Sequence, residues 1–284
     1  MSGMKKYFGL VFIALLIACT KEQVTKQVMN DKIPQQLPDT LRKLNVNTKM
    51  AYIPGGEYKP FYSSDTGLVT VHPFLMDERP ITNSEFLAFV KANPQWQRSK
   101  IKQIYADSSY LRTWLSDTTF AADALPDAPV CNVSWYAANA FAQSVNKRLP
   151  TLDEWEFVAM ADRTSKDARK KPEYSDAIID LYLQKDRQFQ PVAKSTPNYW
   201  GVYNMFDLIW EWTEDFNSVL TTGESRGGKY EDKSLFCAGS ATTSTDLLNY
   251  AAFMRFSLRS SVKAHYTIAN LGFRCARDTM IVKK

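Results

Sequence analysis

The chain has 284 residues and a formal net charge of +5 at pH 7, and 45% of its residues are hydrophobic and 13% aromatic. This composition can build a sizeable core in one large or two small domains, and nothing in it suggests disorder beyond the N-terminal region. Lys and Arg are spread out rather than clustered among aromatic residues, so a nucleic-acid-binding surface is not expected.

The first nineteen residues have the layout of an export signal. Lys5 and Lys6 form a short basic region, Tyr7–Ala18 is apolar and uncharged, and Leu16–Cys19 is the tetrad typical of a bacterial lipoprotein signal. We therefore predict that residues 1–19 form a lipoprotein signal peptide and that diacylglycerol attached to Cys19 anchors the protein. An ordinary signal peptide or anchor with a coincidental cysteine is the alternative.

The polar stretch 20–49, which contains Pro34 and Pro38, predicts a tether, and the folded domain is expected over residues 50–284. Ala51–Tyr58 has the pattern of a strand, a Gly-rich turn and a second strand, and Leu68–Phe74 alternates as a strand does. There is no tandem repeat and no clear internal linker. The sequence therefore predicts one α+β domain that is rich in loops and has little regular secondary structure.

Three helix starts are marked by capping residues. Thr82–Glu85 and Thr151–Glu154 are capping boxes, and Ser134 is a further N-cap before an apolar stripe. The acidic residues of Asp153–Glu156 are expected to be helix-start and surface charges, and the charged stretch Arg163–Gln190 predicts a helix or loop inserted at the surface. Short strands are predicted at three later places: Phe236–Ser240, Phe253–Ser257 and Gly272–Ala276.

The stretch Asn198–Asp215 combines aromatic and polar residues. Four aromatic side chains in it favour burial: Trp200, Tyr203, Trp210 and Trp212. Asn204, Asp207, Glu211 and Glu214 lie among them and cannot be buried unpaired at tolerable cost. Their oxygens must be satisfied by a cation or by a backbone turn that donates N–H groups, and the residues alone leave both possibilities open.

Few cysteines and histidines are available for metal or redox chemistry. After Cys19 three cysteines remain, Cys131, Cys237 and Cys275, and an exported protein can form a disulfide between two of them. None belongs to a CxxC motif and the chain has only two histidines, so a zinc site of the usual spacing is not expected.

Seven short motifs follow one another along the chain: Ile53–Gly56, Phe74–Asp77 leading to Ile81–Asn83, Pro129–Val130 with Val133–Trp135, Lys147–Phe157, Trp200–Met205, Trp210–Trp212 and Asn270–Arg274. In this order they resemble the motifs of the formylglycine-generating enzyme (sulfatase-modifying factor) family. A single tetrad is weak, but seven in register are specific. The resemblance spans roughly Met50 to Asp278 and implies a modified C-type-lectin-like fold.

The resemblance also implies a structural calcium site. In the family, an Asn side chain, two backbone carbonyls and a Glu carboxylate hold the ion, and here these match Asn204, the carbonyls of Asp207 and Ile209, and Glu211. Oxygens that converge from one curled segment suit a hard cation. In the alternative, Asn204 and Glu211 cap backbone N–H groups and no ion binds.

The catalytic positions of the family's copper enzymes are degenerate in this chain. Those enzymes use two cysteines, which soft Cu(I) requires, but the matching residues here are Thr243 and Ala251. Ser240 and Trp210 match pocket positions and are also ordinary residues of the fold. No catalytic residue is therefore expected, and neither copper nor iron is expected as a cofactor.

Two functional hypotheses follow from the resemblance. The first is a non-catalytic, membrane-tethered subunit with a structural or interaction role, like the family's gliding-motility and secretion lipoproteins, with an envelope protein as its partner. Its expected location is the bacterial cell envelope, at the outer rather than the inner membrane, facing the periplasm or the outside. The alternative is an enzyme or maturation factor of the oxidoreductase type that uses a non-standard residue set at the same pocket.

Overall fold

The computed structural model describes residues 41–46, 48–60, 67–217 and 250–279. Within them, the regular structure consists of short strands and helices joined by long loops. The strands are β1 (Met50–Ile53), β2 (Gly56–Tyr58), β3 (Val69–Val71), β4 (Phe74–Asp77), β5 (Trp210–Glu211), β6 (Leu271–Gly272) and β7 (Ala276–Asp278). The helices are α1 (Asn83–Ala92), α2 (Trp135–Ser144), α3 (Leu152–Ala159), α4 (Pro172–Leu183) and α5 (Tyr250–Ser261).

The three-stranded antiparallel sheet has the order β1-β4-β7 and connects the start of the domain to its end. On the buried face of this sheet, Ala51 of β1 pairs with Met76 of β4, and Met76 pairs with Ala276 of β7; all three side chains are buried. Tyr52, one residue along, points outward and is 58% exposed, as the period of two in a strand requires. Strands β2 and β3 form an antiparallel pair, and β5 and β6 form a parallel pair.

The Gly-rich turn between β1 and β2 needs glycine for steric reasons. Gly55 has a φ of +70°, and a Cβ at this position would lie 2.1 Å from the carbonyl oxygen of Val71. The turn therefore brings β2 against β3, and the predicted strand–turn–strand pattern of Ala51–Tyr58 is confirmed.

All three predicted helix starts are confirmed. The side chain of Thr82 accepts a hydrogen bond from the backbone N–H of Glu85, whose carboxylate accepts from the backbone N–H of Thr82. Thr151 forms the same capping box with Glu154, and Ser134 caps α2 without one. Each cap satisfies N–H groups that a helix leaves free at its first turn.

An aromatic cluster joins α1, α2 and the loop after β6. Phe141 of α2 contacts Phe86, Phe89 and Phe273, with ring centroids 5.8, 5.6 and 5.4 Å apart respectively. All four rings are fully buried. Since Phe273 precedes Arg274, this packing fixes the position of Arg274 in the interior.

Residues before Met50, within the stretch predicted to be a tether, contact the folded domain. The backbone N–H of Arg42 donates to the side-chain oxygen of Asn93 (2.7 Å), and that of Leu44 donates to the carbonyl of Ser144 (2.8 Å). The side chain of Thr48 is buried and donates to Asp77 (2.5 Å). Polar composition alone could not reveal these contacts, because each partner is distant in the sequence.

The predicted strand Phe253–Ser257 is wrong, because this segment lies inside α5. The buried positions are Ala251, Arg255, Phe256 and Arg259, which follow the helical spacing of three to four residues. The predicted strand Gly272–Ala276 is replaced by β6 and β7, and the predicted strand Leu68–Phe74 is interrupted between β3 and β4.

Helix α4 occupies the predicted surface insertion Arg163–Gln190. The predicted strand Phe236–Ser240 lies outside the described residues. No helix in the described ranges is long and apolar enough to cross a membrane.

Candidate functional site

The aromatic stretch Asn198–Asp215 satisfies many of its polar groups through turns. The side-chain oxygen of Asn198 accepts from the backbone N–H groups of Trp200 (3.0 Å) and Val202 (3.1 Å), and its amide nitrogen donates to the carbonyl of Val158 (2.9 Å). Asn204 has a φ of +55°, in the left-handed region that Asn tolerates better than most residues. These turns satisfy the side chain of Asn198, which is not one of the four polar residues for which the sequence left a cation and a backbone turn as alternatives.

Glu211 is paired with Arg274 in the interior. Both side chains are fully buried, and two guanidinium nitrogens each donate to one carboxylate oxygen over 2.8 Å. The indole N–H of Trp155 donates to the same carboxylate over 2.8 Å, and Arg274 also donates to the carbonyls of Tyr203 and Asn204. This bidentate pair therefore ties the aromatic loop to the segment after β6.

The predicted calcium ligands lie in one curled segment, and we tested their fit from the free acceptors. No backbone N–H of the described residues donates to the carbonyl oxygen of Asp207 or Ile209. Of the two Glu211 oxygens, Oε1 accepts a single hydrogen bond, so it keeps one lone pair. The donor set therefore fits a hard cation, while Arg274 already neutralises the Glu211 charge and lowers the expected affinity. Calcium stays a prediction.

The side-chain amide of Asn204 forms hydrogen bonds with both oxygens of the Asp207 carboxylate. The amide nitrogen of Asn204 donates to both carboxylate oxygens of Asp207 (3.0 and 2.9 Å) and to the hydroxyl of Ser195 (3.0 Å). The side-chain oxygen of Asn204 accepts from the backbone N–H of Ala193 over 2.7 Å and keeps one lone pair. The Asp207 carboxylate thus faces Asn204, and it carries no ion pair among the described residues.

Trp210, one of the two predicted pocket residues, is covered by neighbouring side chains. Tyr182 of α4 packs against it in a tilted arrangement with ring centroids 4.4 Å apart, and the guanidinium of Arg187 lies 5.3 Å from the Tyr182 ring and 6.0 Å from the Trp210 ring. The cavity beside Trp210, which Arg255 also lines, has a volume of about 10 Å³. That volume holds about one water molecule, so it offers no room for a substrate.

The two degenerate cysteine positions are only partly described. Ala251 lies in the first turn of α5 and is buried, whereas Thr243 and the pocket residue Ser240 lie outside the described residues, as does Cys237. Among the described residues, no cluster of three or more His, Cys, Asp or Glu could hold a metal ion.

The described cysteines of the folded domain are unreactive. Cys131 and Cys275 are both free and buried. Burial raises the pKa of the Cys131 thiol to about 12 and the pKa of the Cys275 thiol well above its ordinary value. Both thiols are therefore protonated at neutral pH, and a thiolate is the form that attacks a substrate or binds a soft metal.

Glu156 is not the helix-start or surface charge that its sequence context predicts. It is buried and accepts from Arg255 (3.0 and 2.7 Å) and from Arg259 (2.8 Å) of α5. Both guanidinium groups also lie over the ring of Trp155, at 5.6 and 4.7 Å from its centroid. The available signal was the spacing of four residues between two arginines, which places them on one helix face.

The charge balance keeps Glu156 ionised. Burial alone would raise its pKa, but the charges and hydrogen bonds of Arg255 and Arg259 outweigh this effect, so its pKa lies below the ordinary value. Burial raises the pKa of the adjacent Tyr182 hydroxyl, which accepts a hydrogen bond from Arg255 over 3.3 Å. Neither group is therefore suited to exchange a proton with a substrate at neutral pH.

The family model described as "Sulfatase-modifying factor enzyme 1-like domain" matches residues 35–279. The formylglycine-generating enzyme of Streptomyces coelicolor is 27% identical over 291 residues, which cover 80% of this chain and 88% of that protein. A protein of Bos taurus named "Inactive C-alpha-formylglycine-generating enzyme 2" is 25% identical over 272 residues, which cover 80% and 87%. Among solved structures, PvdO from Pseudomonas aeruginosa has 17% identity and a TM-score of 0.46, with 86% of this chain and all of that one covered.

Proposed function

Because the chain belongs to the sulfatase-modifying factor enzyme 1-like family, we propose that it is a non-catalytic member of that family, tethered to a membrane through Cys19. In this proposal the domain acts as a structural or interaction subunit of the bacterial cell envelope, anchored at the outer rather than the inner membrane, with another envelope protein as its partner. Calcium has a structural role in the loop of Asn204 and Glu211.

The small volume of the space beside Trp210 is the main support for a non-catalytic role. Tyr182 packs against Trp210, and with the side chains of α5 and the other lining residues in place a volume of about 10 Å³ remains. The position that matches the second copper-binding cysteine holds Ala251, whose methyl group cannot bind a metal. A chain without the thiolate pair cannot hold Cu(I) as the copper enzymes do, and the space that the described residues leave beside Trp210 has room for about one water and not for a peptide substrate.

The charge around this space also disfavours a bound copper ion. Arg255 and Arg259 both line the space, whereas Glu156 supplies one carboxylate to balance them. The Glu211 carboxylate, which also lines the space, is already balanced by Arg274. A cation that entered would therefore meet a net positive site. The relative named as inactive supports the view that a chain of this family can keep the fold without the activity.

The catalytic half of the proposal is tested by copper binding and oxygen consumption. The full chain, purified in detergent, is loaded with Cu(I) and supplied with oxygen and a cysteine-containing peptide. We expect no stoichiometric copper and no oxygen uptake above the rate without protein. Tyr182→Ala, which uncovers Trp210, is the matched variant, and it should also stay inactive because the thiols are still missing. Stoichiometric copper with peptide-dependent oxygen uptake would show that the protein is an enzyme.

The anchoring half is tested separately in cells by metabolic labelling with a clickable fatty acid. The wild-type chain should take up the label and fractionate with membranes, and Cys19→Ser should lose the label. Crosslinking of intact cells should then recover an envelope protein with the wild type and less of it with Cys19→Ser. Equal labelling of both chains would exclude lipidation at Cys19.

A further inference from the structure

A cavity of about 340 Å³ lies between α4 and the loop that carries Asn204 and Asp207. We refer to it as the α4 cavity. Its α4 wall consists of Tyr174, Ala177, Ile178 and Leu181, and its opposite wall includes Val202, Met205 and Phe206. It is thus mostly apolar and larger than the space beside Trp210, and its volume lies within the range of small-ligand sites, about 300–1,000 Å³.

One carboxylate in the lining is available to a ligand. Asp207 is partly exposed and accepts one hydrogen bond at each oxygen, both from Asn204. A carboxylate has about four lone-pair sites. Asp162, the other acidic residue of the lining, is already engaged by Lys171 over 2.5 Å and by the backbone N–H groups of Thr164 and Ser165.

The nearest buried cation does not use this carboxylate. Arg187 donates to the carbonyls of Leu181 and Phe206 and lies over the rings of Tyr182 and Trp210. It forms no ion pair within 4.0 Å among the described residues. Arg163 also lines the cavity but is exposed and forms no ion pair with Asp207 within 4.0 Å among the described residues. The cavity therefore presents a carboxylate that no cation of the described residues contacts directly.

We infer that the α4 cavity binds a primary ammonium or guanidinium group carried on an aliphatic stem. The stem packs between Ile178 and Phe206, and the cation donates to the free lone pairs of Asp207. A free alkylamine and a lysine side chain of another protein share this chemistry. Because Asp207 and the α4 wall lie outside the space beside Trp210, the inference is independent of whether the domain is catalytic.

The test uses a charged probe and a neutral probe of similar length. N-acetyl-lysine amide, N-acetyl-norleucine amide and n-pentylamine are titrated into the full chain in detergent, with binding followed by calorimetry. EDTA is present, because the carbonyl of Asp207 belongs to the predicted calcium ligands. We expect saturable binding of a cationic probe and binding about tenfold or more weaker for the norleucine compound, since hydrogen bonds to a charged group contribute about 1.5–3 kcal/mol.

Three variants test the charge of Asp207, the volume of the cavity and, as a control, an exposed carboxylate elsewhere on α4. Asp207→Asn keeps the shape and an acceptor for Asn204, and it should weaken the cationic probe about tenfold. Ala177→Trp fills the cavity from an exposed helix position and should abolish binding. Asp180→Asn removes an exposed carboxylate of α4 outside the cavity and should change nothing.

Each result decides for or against the inference. Binding of n-pentylamine alone identifies a free amine as the ligand, whereas binding of the lysine compound identifies a protein side chain, and both support the inference. Equal affinity for the norleucine compound would overturn it. So would unchanged binding in Asp207→Asn or in Ala177→Trp, and so would the absence of saturable binding by either cation.

Discussion

Two buried carboxylates are linked to Trp155 in different ways, one directly at the edge of its ring and the other through guanidinium groups that lie over its face. Glu211 accepts from the indole N–H at the edge of the ring. The two guanidinium groups held by Glu156 lie over the ring itself. We refer to Glu211 with Arg274 as the Glu211 pair, and to Glu156 with Arg255 and Arg259 as the Glu156 triad.

The two groups differ in net charge and therefore in what they can do. The Glu211 pair is neutral and fully buried, whereas the Glu156 triad has one carboxylate for two guanidinium groups. A neutral pair that also binds backbone carbonyls holds a loop in place and leaves lone pairs for a hard ion. A triad with an excess positive charge repels metal ions from the space beside Trp210. The net charge of the side chains is therefore zero in one region and positive in the other.

The largest expected effect is the loss of the Glu211 pair. Arg274→Met keeps the side-chain length but leaves Glu211 buried without a counter-charge, which destabilises the fold by about 3–5 kcal/mol. The free energy of unfolding, measured by urea denaturation, reports the change. Arg169→Met is the control, because Arg169 pairs with a partly exposed Asp167 and its loss should cost less than about 1 kcal/mol. Similar losses in both variants would mean that the Glu211 pair does not hold the loop.

A second variant tests the Glu156 triad and its pH dependence. Glu156→Gln leaves two buried guanidinium groups without a carboxylate and should cost about 3 kcal/mol at neutral pH. The pKa of Glu156 is lower in the folded than in the unfolded chain, so its stabilisation is present above the unfolded-state value and is lost as the pH falls toward the folded-state value.

The difference in unfolding free energy between wild type and Glu156→Gln should therefore shrink below about pH 4.3, the ordinary pKa of a glutamate. Urea denaturation of both chains at several pH values measures it. A difference that stays constant through this range would show that Glu156 acts through packing rather than through its charge.

A third comparison separates the two arginines of the triad. Removal of one guanidinium leaves a neutral pair, so either change should cost less than Glu156→Gln. Arg255 donates twice to Glu156 and once to Tyr182, whereas Arg259 donates once. Arg255→Met should therefore cost about 2–3 kcal/mol and Arg259→Met about 1 kcal/mol, at about 1 kcal/mol per hydrogen bond. Thermal unfolding ranks them, and a reversed order would contradict the geometry.

Local chemistry made much of the fold predictable. The capping boxes at Thr82 and Thr151 and the turn at Gly55 depend on neighbours within a few residues, and the structure confirms them. The family resemblance and the loop-rich α+β architecture are also confirmed, because seven motifs in register constrain the whole chain rather than one element.

What the sequence could not provide are contacts between distant segments. Glu156 is separated from Arg255 by 99 residues and Glu211 from Arg274 by 63, so neither pairing leaves a local signal. The sequence predicts a strand at Phe253–Ser257, inside the α5 helix, for a related reason. Its buried positions include two arginines, and a polar residue on the buried face hides the helical period of the apolar residues.

The smallest expected effect is that of calcium, and it tests whether the neutral Glu211 pair accepts a cation. Since an ion that binds only the folded chain stabilises it, CaCl₂ at about four times its dissociation constant should raise the unfolding free energy by about 0.9 kcal/mol relative to EDTA. Asn204→Gly is the matched variant: glycine tolerates the positive φ of this position but lacks the side-chain oxygen, so its response to CaCl₂ should disappear. Thermal unfolding of both chains measures the effect. Equal stabilisation of the two chains would place the ion elsewhere, and no stabilisation of either would mean that Arg274 alone provides the positive charge that Glu211 requires.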